Sequence, residues 1–370
     1  MHRVIVRRAW LLVACCSCLL AGVGVAAEPR KTENVLLIMT DGLRQQEVFS
    51  GADQSLFPSP PKANAQIAAA RKQFCRDNPE ESRAAVMPFL WNVVAKSGQI
   101  YGNRAKQSKA EVANGLKFSY PGFHETLCGH PDPRINSNTP GPNPNVTVLE
   151  WLNNKPGYRG RVAAFGAWER FNDIFNRQRC GFCVNAGYDP LEAIHTPEIA
   201  LLNALKREGP RVWEGEPFDA LTFHTAFVYW KTKQPRVLFL ALGETDEWAH
   251  AGRYDEYLVA AHRADQYVKD LWEAAQTLPQ YAGKTTLIFT TDHGRGLAPS
   301  EWKSHGKNVV EAENTWMAFM GPDTPPLGER TNVPLVTQGQ IAATLAGLLG
   351  EDYCGAVPRA AKPITDVLGP

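Results

Sequence analysis

Three stretches of the chain stay apolar for five to seven residues and then turn polar in a single step. Asn34-Val-Leu-Leu-Ile-Met39 leads to Asp41-Gly42-Leu43-Arg44, and Val237-Leu-Phe-Leu-Ala241 leads to Gly243-Glu-Thr-Asp246. Thr285-Thr-Leu-Ile-Phe-Thr-Thr291 leads to Asp292-His293-Gly-Arg-Gly296. Unbroken β-branched and apolar runs of this length predict strands covered on both faces, as in a parallel sheet. Shorter runs predict further strands at Ile100–Asn103, Arg161–Phe165 and Trp316–Met320. Helical patterns fall between them, around Ala63–Phe74, Met87–Lys96, Val146–Asn153, Asp219–Lys233, Tyr254–Thr277 and Thr337–Leu349. Pro88 belongs in the first turn of its helix, where a missing N–H costs little, and Gly98 closes that helix. Alternation of strand and helix implies an α/β fold: a mostly parallel central sheet with helices on both faces. The Pro- and Asn-rich segment from Pro131 to Pro144 reads as an irregular surface loop. No internal repeat or linker divides the chain, so residues 28–370 are expected to form one domain.

The N-terminus changes the picture. Arg3, Arg7 and Arg8 precede an apolar run from Ala9 to Ala27 that ends Val25-Ala26-Ala27, the pattern of a secretory signal cleaved before Glu28. Loss of residues 1–27 turns the formal charge of +1 into 36 basic against 38 acidic residues, or −2. No basic excess points to a nucleic-acid partner. Later apolar runs all fall short of the ~20 residues that span a bilayer. The expectation is a protein that is periplasmic or secreted. Leu12-Val13-Ala14-Cys15 offers lipid anchoring as a minor alternative. An oxidising compartment makes one or two disulfides plausible among Cys75, Cys128, Cys180, Cys183 and Cys354. Cys180-Gly-Phe-Cys183 has the spacing of a zinc knuckle but lacks a second close pair, which favours a local disulfide or buried thiols.

Chemistry collects where the strands end. Ligands bind at the carboxyl ends of strands in open α/β sheets, and three such ends carry Asp41, Asp246 and Asp292. His250 follows Asp246 by four residues, which on a helical turn puts both side chains on one face. His293 adjoins Asp292, and His305 follows in a loop beside Gly306. Three carboxylates and three imidazoles are hard-oxygen and nitrogen donors enough for two metal ions with three protein ligands each.

In order and spacing, these anchors resemble the alkaline phosphatase superfamily, most closely its nucleotide pyrophosphatase/phosphodiesterase-like branch. The residues that carry the resemblance are Asn34 to Arg44, Ser119-Tyr-Pro121 ahead of Gly129, Asp246-Glu-Trp-Ala-His250, Thr291-Asp292-His293-Gly294 and His305-Gly306. The resemblance implies that Asp41, Asp292 and His293 hold one Zn²⁺ and that Asp246, His250 and His305 hold the other, with Mn²⁺ as an alternative metal. It makes Ser119 the nucleophile, with Thr126 in reserve, and a small-molecule phosphoester the substrate. The competing reading of Ser119 is a helix cap. A helix starting near Pro121 would turn its free N–H groups toward phosphoryl oxygens.

Departures from the pattern bear on the substrate. Many relatives place an Asn three residues after the nucleophile to hold a phosphoryl oxygen, whereas this chain has Gly122; His124, Asn114 or a backbone N–H are the substitutes, so Gly122 and His124 are expected near the substrate. The sulfatase pattern needs x-Pro-x-Arg after its Cys or Ser. Ser119-Tyr-Pro121-Gly-Phe123 lacks the Arg, and Cys128-Gly-His-Pro131 has its Pro one place late. Lys303 and Lys307 flank His305 as solvated lysines or anion guides. The rivals to a diesterase are a phosphomonoesterase, a phosphoryl-transfer mutase, and a metal-holding relative without turnover.

Overall fold

Val35, Leu37 and Met39 point into one apolar core, while Leu36 and Ile38 point into the other. The same period of two divides Val237, Phe239 and Ala241 from Leu238, Leu240 and Leu242. A sheet whose strands face apolar cores on both sides must be covered twice, so the helices lie on both faces. A computed structural model describes residues 2, 30–58 and 64–369. The proposed signal segment and Cys15 lie outside the described residues. Among the described residues no helix is long and apolar enough to cross a membrane.

In chain order the strands are β1 (Asn34–Thr40), β2 (Gln99–Tyr101), β3 (Ala110–Glu111), β4 (Val162–Gly166), β5 (Cys183–Ala186), β6 (Val237–Leu242), β7 (Thr285–Thr291), β8 (Met317–Met320), β9 (Gly328–Glu329) and β10 (Val336–Thr337). The main sheet runs β5-β4-β6-β1-β7-β8-β2-β9, and β3 pairs with β10 separately. Strands β5, β4, β6, β1 and β7 are mutually parallel, whereas β8 lies antiparallel to β7 and β2. The fold is α/β with a mostly parallel sheet, as the strand patterns predict.

The long helices match the expected spans at Asp219–Lys233 and Tyr254–Thr277. The segment after Met87 differs: it winds as a π-helical turn over Leu90–Val94 before a short α-turn at Ala95–Ser97. Buried Asp265 accepts the Phe89 and Leu90 N–H groups at 2.7 and 2.8 Å, fixing the start of that turn from outside it. Helices Pro79–Val86 and Pro197–Glu208 were not apparent in the hydrophobic pattern, although each starts from an Asn or Thr cap followed by Pro. All five described cysteines are free thiols, so the expected disulfides are absent. Cys180 Sγ instead faces carbonyls of its own turn, Arg177 and Phe182, both at 3.8 Å, and Cys183 opens β5.

The register sets the site. Thr40 is paired with Leu242 on one side and with Thr291 on the other. The three central strands therefore end at one level, and Asp41, Gly243 and Asp292 leave the sheet side by side.

Candidate metal centre

Each acid is presented differently. Asp41 follows β1 directly, with Gly42 at φ +60° turning the chain back over the sheet. An added Cβ on Gly42 would lie 2.7 Å from both Asp246 Oδ1 and Arg295 Nη1, so glycine meets a steric as well as a conformational demand. Asp246 and His250 share the short helix Glu244–His250, and their side chains meet at 3.0 Å from Oδ2 to Nε2. Asp292 Oδ1 accepts the N–H groups of Gly42 and His293 at 3.0 and 2.9 Å. Its Oδ2 is buried with no hydrogen-bond partner.

Ser119 is the first residue of the helix Ser119–Cys128. The cap position belongs to Phe118, which makes no side-chain cap, so Ser119 is not there to cap the helix. Its Oγ lies 3.5 Å from Asp41 Oδ1 and 3.5 Å from His293 Nε2. His293 Nε2 in turn is 3.1 Å from Asp41 Oδ1 and 3.5 Å from Asp292 Oδ2. Donors bound at ~2.0–2.2 Å in tetrahedral geometry stand roughly 3.3 Å apart, so these contacts fit one zinc-sized ion. The orphaned Asp292 Oδ2 is free to act as the remaining oxygen donor. In the second set, His250 Nε2 is 3.0 Å from His305 Nε2, and His305 Nε2 is 3.7 Å from Asp246 Oδ1. All six residues thus gather into two sets of three, each with ligating atoms within 4.8 Å of one another.

Electrostatics prepare the imidazoles. Burial pushes His293 down to about 4 and, with His293 beside it, His305 down to about 2, so both are neutral and free to ligate at neutral pH. A hydrogen bond to Asp246 raises His250 instead. Burial, with the charge of Asp246 beside Asp41 and of Asp41 beside Asp292, pushes both acids well above the usual carboxylate range, a cost that a bound cation removes. Asp246 behaves oppositely: against the effect of burial, Arg295 and the two histidines hold it well below that range. His293 Nδ1 lies 2.9 Å from the Gly294 carbonyl, which fixes the ring with Nε2 toward the acids.

Gly122 and His124, expected near the substrate, are both buried. Gly122 sits where the helix crosses the end of β7, and an added Cβ would stand 2.5 Å from the Asp292 carbonyl oxygen. It is a close-packing residue. His124 is fully buried, with Nε2 2.8 Å from Asn145 Nδ2 and its ring against His130. It lies five residues after Ser119, about 140° further round the helix. Asn114 is committed to buried Glu125, which also takes the N–H groups of Ala113, Asn114 and Gly339. Thr126, the reserve nucleophile, donates to the Gly122 carbonyl at 3.0 Å. The first helical turn offers fewer N–H groups than expected. The Tyr120 N–H donates to Asn138 Oδ1 at 3.0 Å, Pro121 has none, and the Gly122 N–H starts the helical ladder.

Two residues join the site unannounced. Asn138, from the exposed Pro-rich loop, is tied to the residue beside Ser119. Arg295 is wholly buried and ion-paired to Asp246 Oδ1. Its place two residues after His293 was the available sign, but only the tertiary structure shows its partner.

No protein-family model matches the chain, and no curated protein does. Solved structures do resemble it. Alkaline phosphatase PafA aligns at a TM-score of 0.57 and 11% identity, over 93% of this chain and all of the other, 100%. The lipoteichoic acid synthase LtaP of Listeria monocytogenes aligns at 0.55 and 13% identity, over 94% of this chain and 79% of that one. A protein of the alkaline phosphatase superfamily from Vibrio parahaemolyticus aligns at 0.52 and 14% identity, over 91% and 71%. The chain has the fold of the alkaline phosphatase superfamily. These likenesses do not single out its nucleotide pyrophosphatase/phosphodiesterase-like branch.

Proposed function

We propose that the protein is an exported, metal-dependent phosphoester hydrolase, a phosphodiesterase or phosphatase, with Ser119 as nucleophile. The observation that carries this reading is the meeting of Ser119 Oγ with Asp41 and His293 at 3.5 Å, inside a donor set that Asp292 completes. Asp41, Asp292 and His293 would hold one ion, and Asp246, His250 and His305 a second. The donor types suit Zn²⁺ and also accept Mn²⁺. Such a pair of ions supplies Lewis-acid charge that activates a hydroxyl and steadies a leaving oxygen.

The chain's own residues do the rest. Ser119 Oγ attacks phosphorus in line: a bond from Oγ to phosphorus forms as the ester bond to the leaving oxygen breaks. Water then cleaves the phosphoserine and returns the serine hydroxyl. The Ser119 N–H has no protein partner among the described residues, and Asn138, whose Oδ1 takes the neighbouring Tyr120 N–H, carries an amide NH2; both would donate to the non-bridging oxygens. Glu125 holds the loop Ala113–Asn114 that leads to the nucleophile and thereby fixes where the helix begins. Lacking the Arg of the sulfatase pattern, Ser119-Tyr-Pro121 favours phosphate esters over sulfate esters.

The test is a panel of nitrophenyl phosphate, bis-nitrophenyl phosphate and nitrophenyl sulfate, assayed with and without chelator. Turnover of a phosphate ester is expected, lost with chelator and restored by Zn²⁺ or Mn²⁺. Ser119→Ala is expected to lower kcat at least 10³-fold while metal content is kept. Metal-loaded protein without chelator-sensitive turnover of any ester would sink the reading.

A further inference from the structure

The two donor sets carry different charge. In the first, Asp41 and Asp292 contribute two carboxylates, and among the described residues neither pairs with a Lys or Arg at ion-pair distance. In the second, the single carboxylate is already neutralised: the Arg295 guanidinium pairs with Asp246 Oδ1, leaving Oδ2 toward His250 at 3.0 Å. A guanidinium keeps its charge in proteins, so this neutralisation is permanent. Once both of its acids are ionised, the first set places two negative ligand charges on a cation, whereas Asp246 with Arg295 on it places close to none in the second.

Arg295 is also held too firmly to swing away. Its Nε donates to the Trp302 carbonyl at 3.1 Å and its Nη2 to the Lys303 carbonyl at 2.8 Å. It is fully buried, and the backbone it grips leads within two residues to His305. The same side chain therefore restricts Asp246 to one free oxygen and anchors the loop that brings the last imidazole.

We infer that Arg295 makes the two metal positions unequal: the Asp41–Asp292–His293 position fills first and holds its ion tightly, and the Asp246–His250–His305 position fills second and exchanges readily. This rests on the two-metal reading above and adds an order of filling. Cation affinity at such sites follows the number of charged ligands and the rigidity of the site. Losing a net charge of two against none separates the positions by at least tenfold in Kd.

The experiment is titration of metal-free protein with Zn²⁺ against a chromophoric chelator, with Co²⁺ absorption spectra as a second readout. Two steps at least tenfold apart are expected in the wild type. His250→Ala should remove only the weak step, and Asp292→Asn the tight one. Arg295→Lys keeps the charge and should preserve the separation, whereas Arg295→Met should bring the two Kd values to within threefold. Two ions binding with equal affinity, or His250→Ala removing the tight step, would overturn the inference while leaving the two-metal reading intact. Arg295→Met weakening the second step further would overturn the charge argument. Binding of fewer than two ions to the wild type would overturn both.

Discussion

Replacing Gly122 by Ala tests how tightly the helix that carries Ser119 is set against the sheet. Alanine improves the intrinsic helix preference by ~1 kcal/mol, so an unconstrained site would be stabilised. Here the new Cβ would stand 2.5 Å from the Asp292 carbonyl oxygen, 3.1 Å from that carbonyl carbon and 3.3 Å from Asp292 Cβ. Two of these three atoms are backbone at the end of a central strand, so no rotamer relieves the contact. The helix and the strand end must part by roughly 0.7 Å, an overpacking that costs ~1–3 kcal/mol and outweighs the propensity gain. A melting temperature lower by up to ~3 °C is expected. The larger effect is on chemistry. Ser119 lies three residues before Gly122 on the same helix, and Asp292 carries both the crowded carbonyl and the proposed metal-binding carboxylate. Since a misplacement of ~1 Å can cost about 10²-fold, kcat should fall roughly 30- to 100-fold. The assay is thermal unfolding, metal content and steady-state hydrolysis of the preferred ester, side by side. An Ala variant that melts within 1 °C of the wild type and turns over within about twofold of it would refute the reasoning, because the helix would then have room that the geometry denies.

Other tests follow from single contacts. Burial pushes the Lys206 amine down to about 8, below the ~10.4 of a free lysine. Between these values the unfolded chain binds a proton that the folded one does not, so wild-type stability should rise with pH across about pH 8 to 10.5, by roughly 3 kcal/mol in all. Lys206→Met should lose that rise, as denaturant unfolding at several pH values will show; an unchanged slope would mean that the amine is not desolvated. Asn138→Ala should lower kcat/KM by about tenfold or more. Asn138→Asp keeps an oxygen for the Tyr120 N–H but loses the amide donors, so wild-type kcat/KM in that variant would show that Asn138 is a cap alone.

The fold was legible because β1, β6 and β7 are covered on both sides, and strands so placed show as unbroken apolar runs. The six candidate ligands were legible for a related reason: an acid that ends such a run is hard to mistake. The packing of Gly122 and His124 was not legible, because in the sequence Gly122 stood out only as a missing donor. In space, Gly122 answers the close approach of a carbonyl, and His124 has rotated away into a polar cluster with Asn145 and His130. Asn138 and Arg295 act through partners distant in sequence, Tyr120 and Asp246, and no local pattern encodes such a pairing. Spacing alone left the cysteines open between a bridge and buried thiols, and the structure has free thiols, with Cys128 and Cys180 buried.

The alignment of β6, β1 and β7 also governs when the site can exist during synthesis. Gly42 and Asp292 touch across 250 residues of chain, and β1 finds both of its neighbours in the second half of the sequence. A growing chain holds Asp41 long before anything is present to share a metal with it. Of the proposed ligands and nucleophile the first half carries only Asp41 and Ser119, so a chain stalled before β6 holds neither complete donor set. On the two-metal reading, the Asp41–Asp292–His293 position closes only when β7 pairs with β1, at the end of folding.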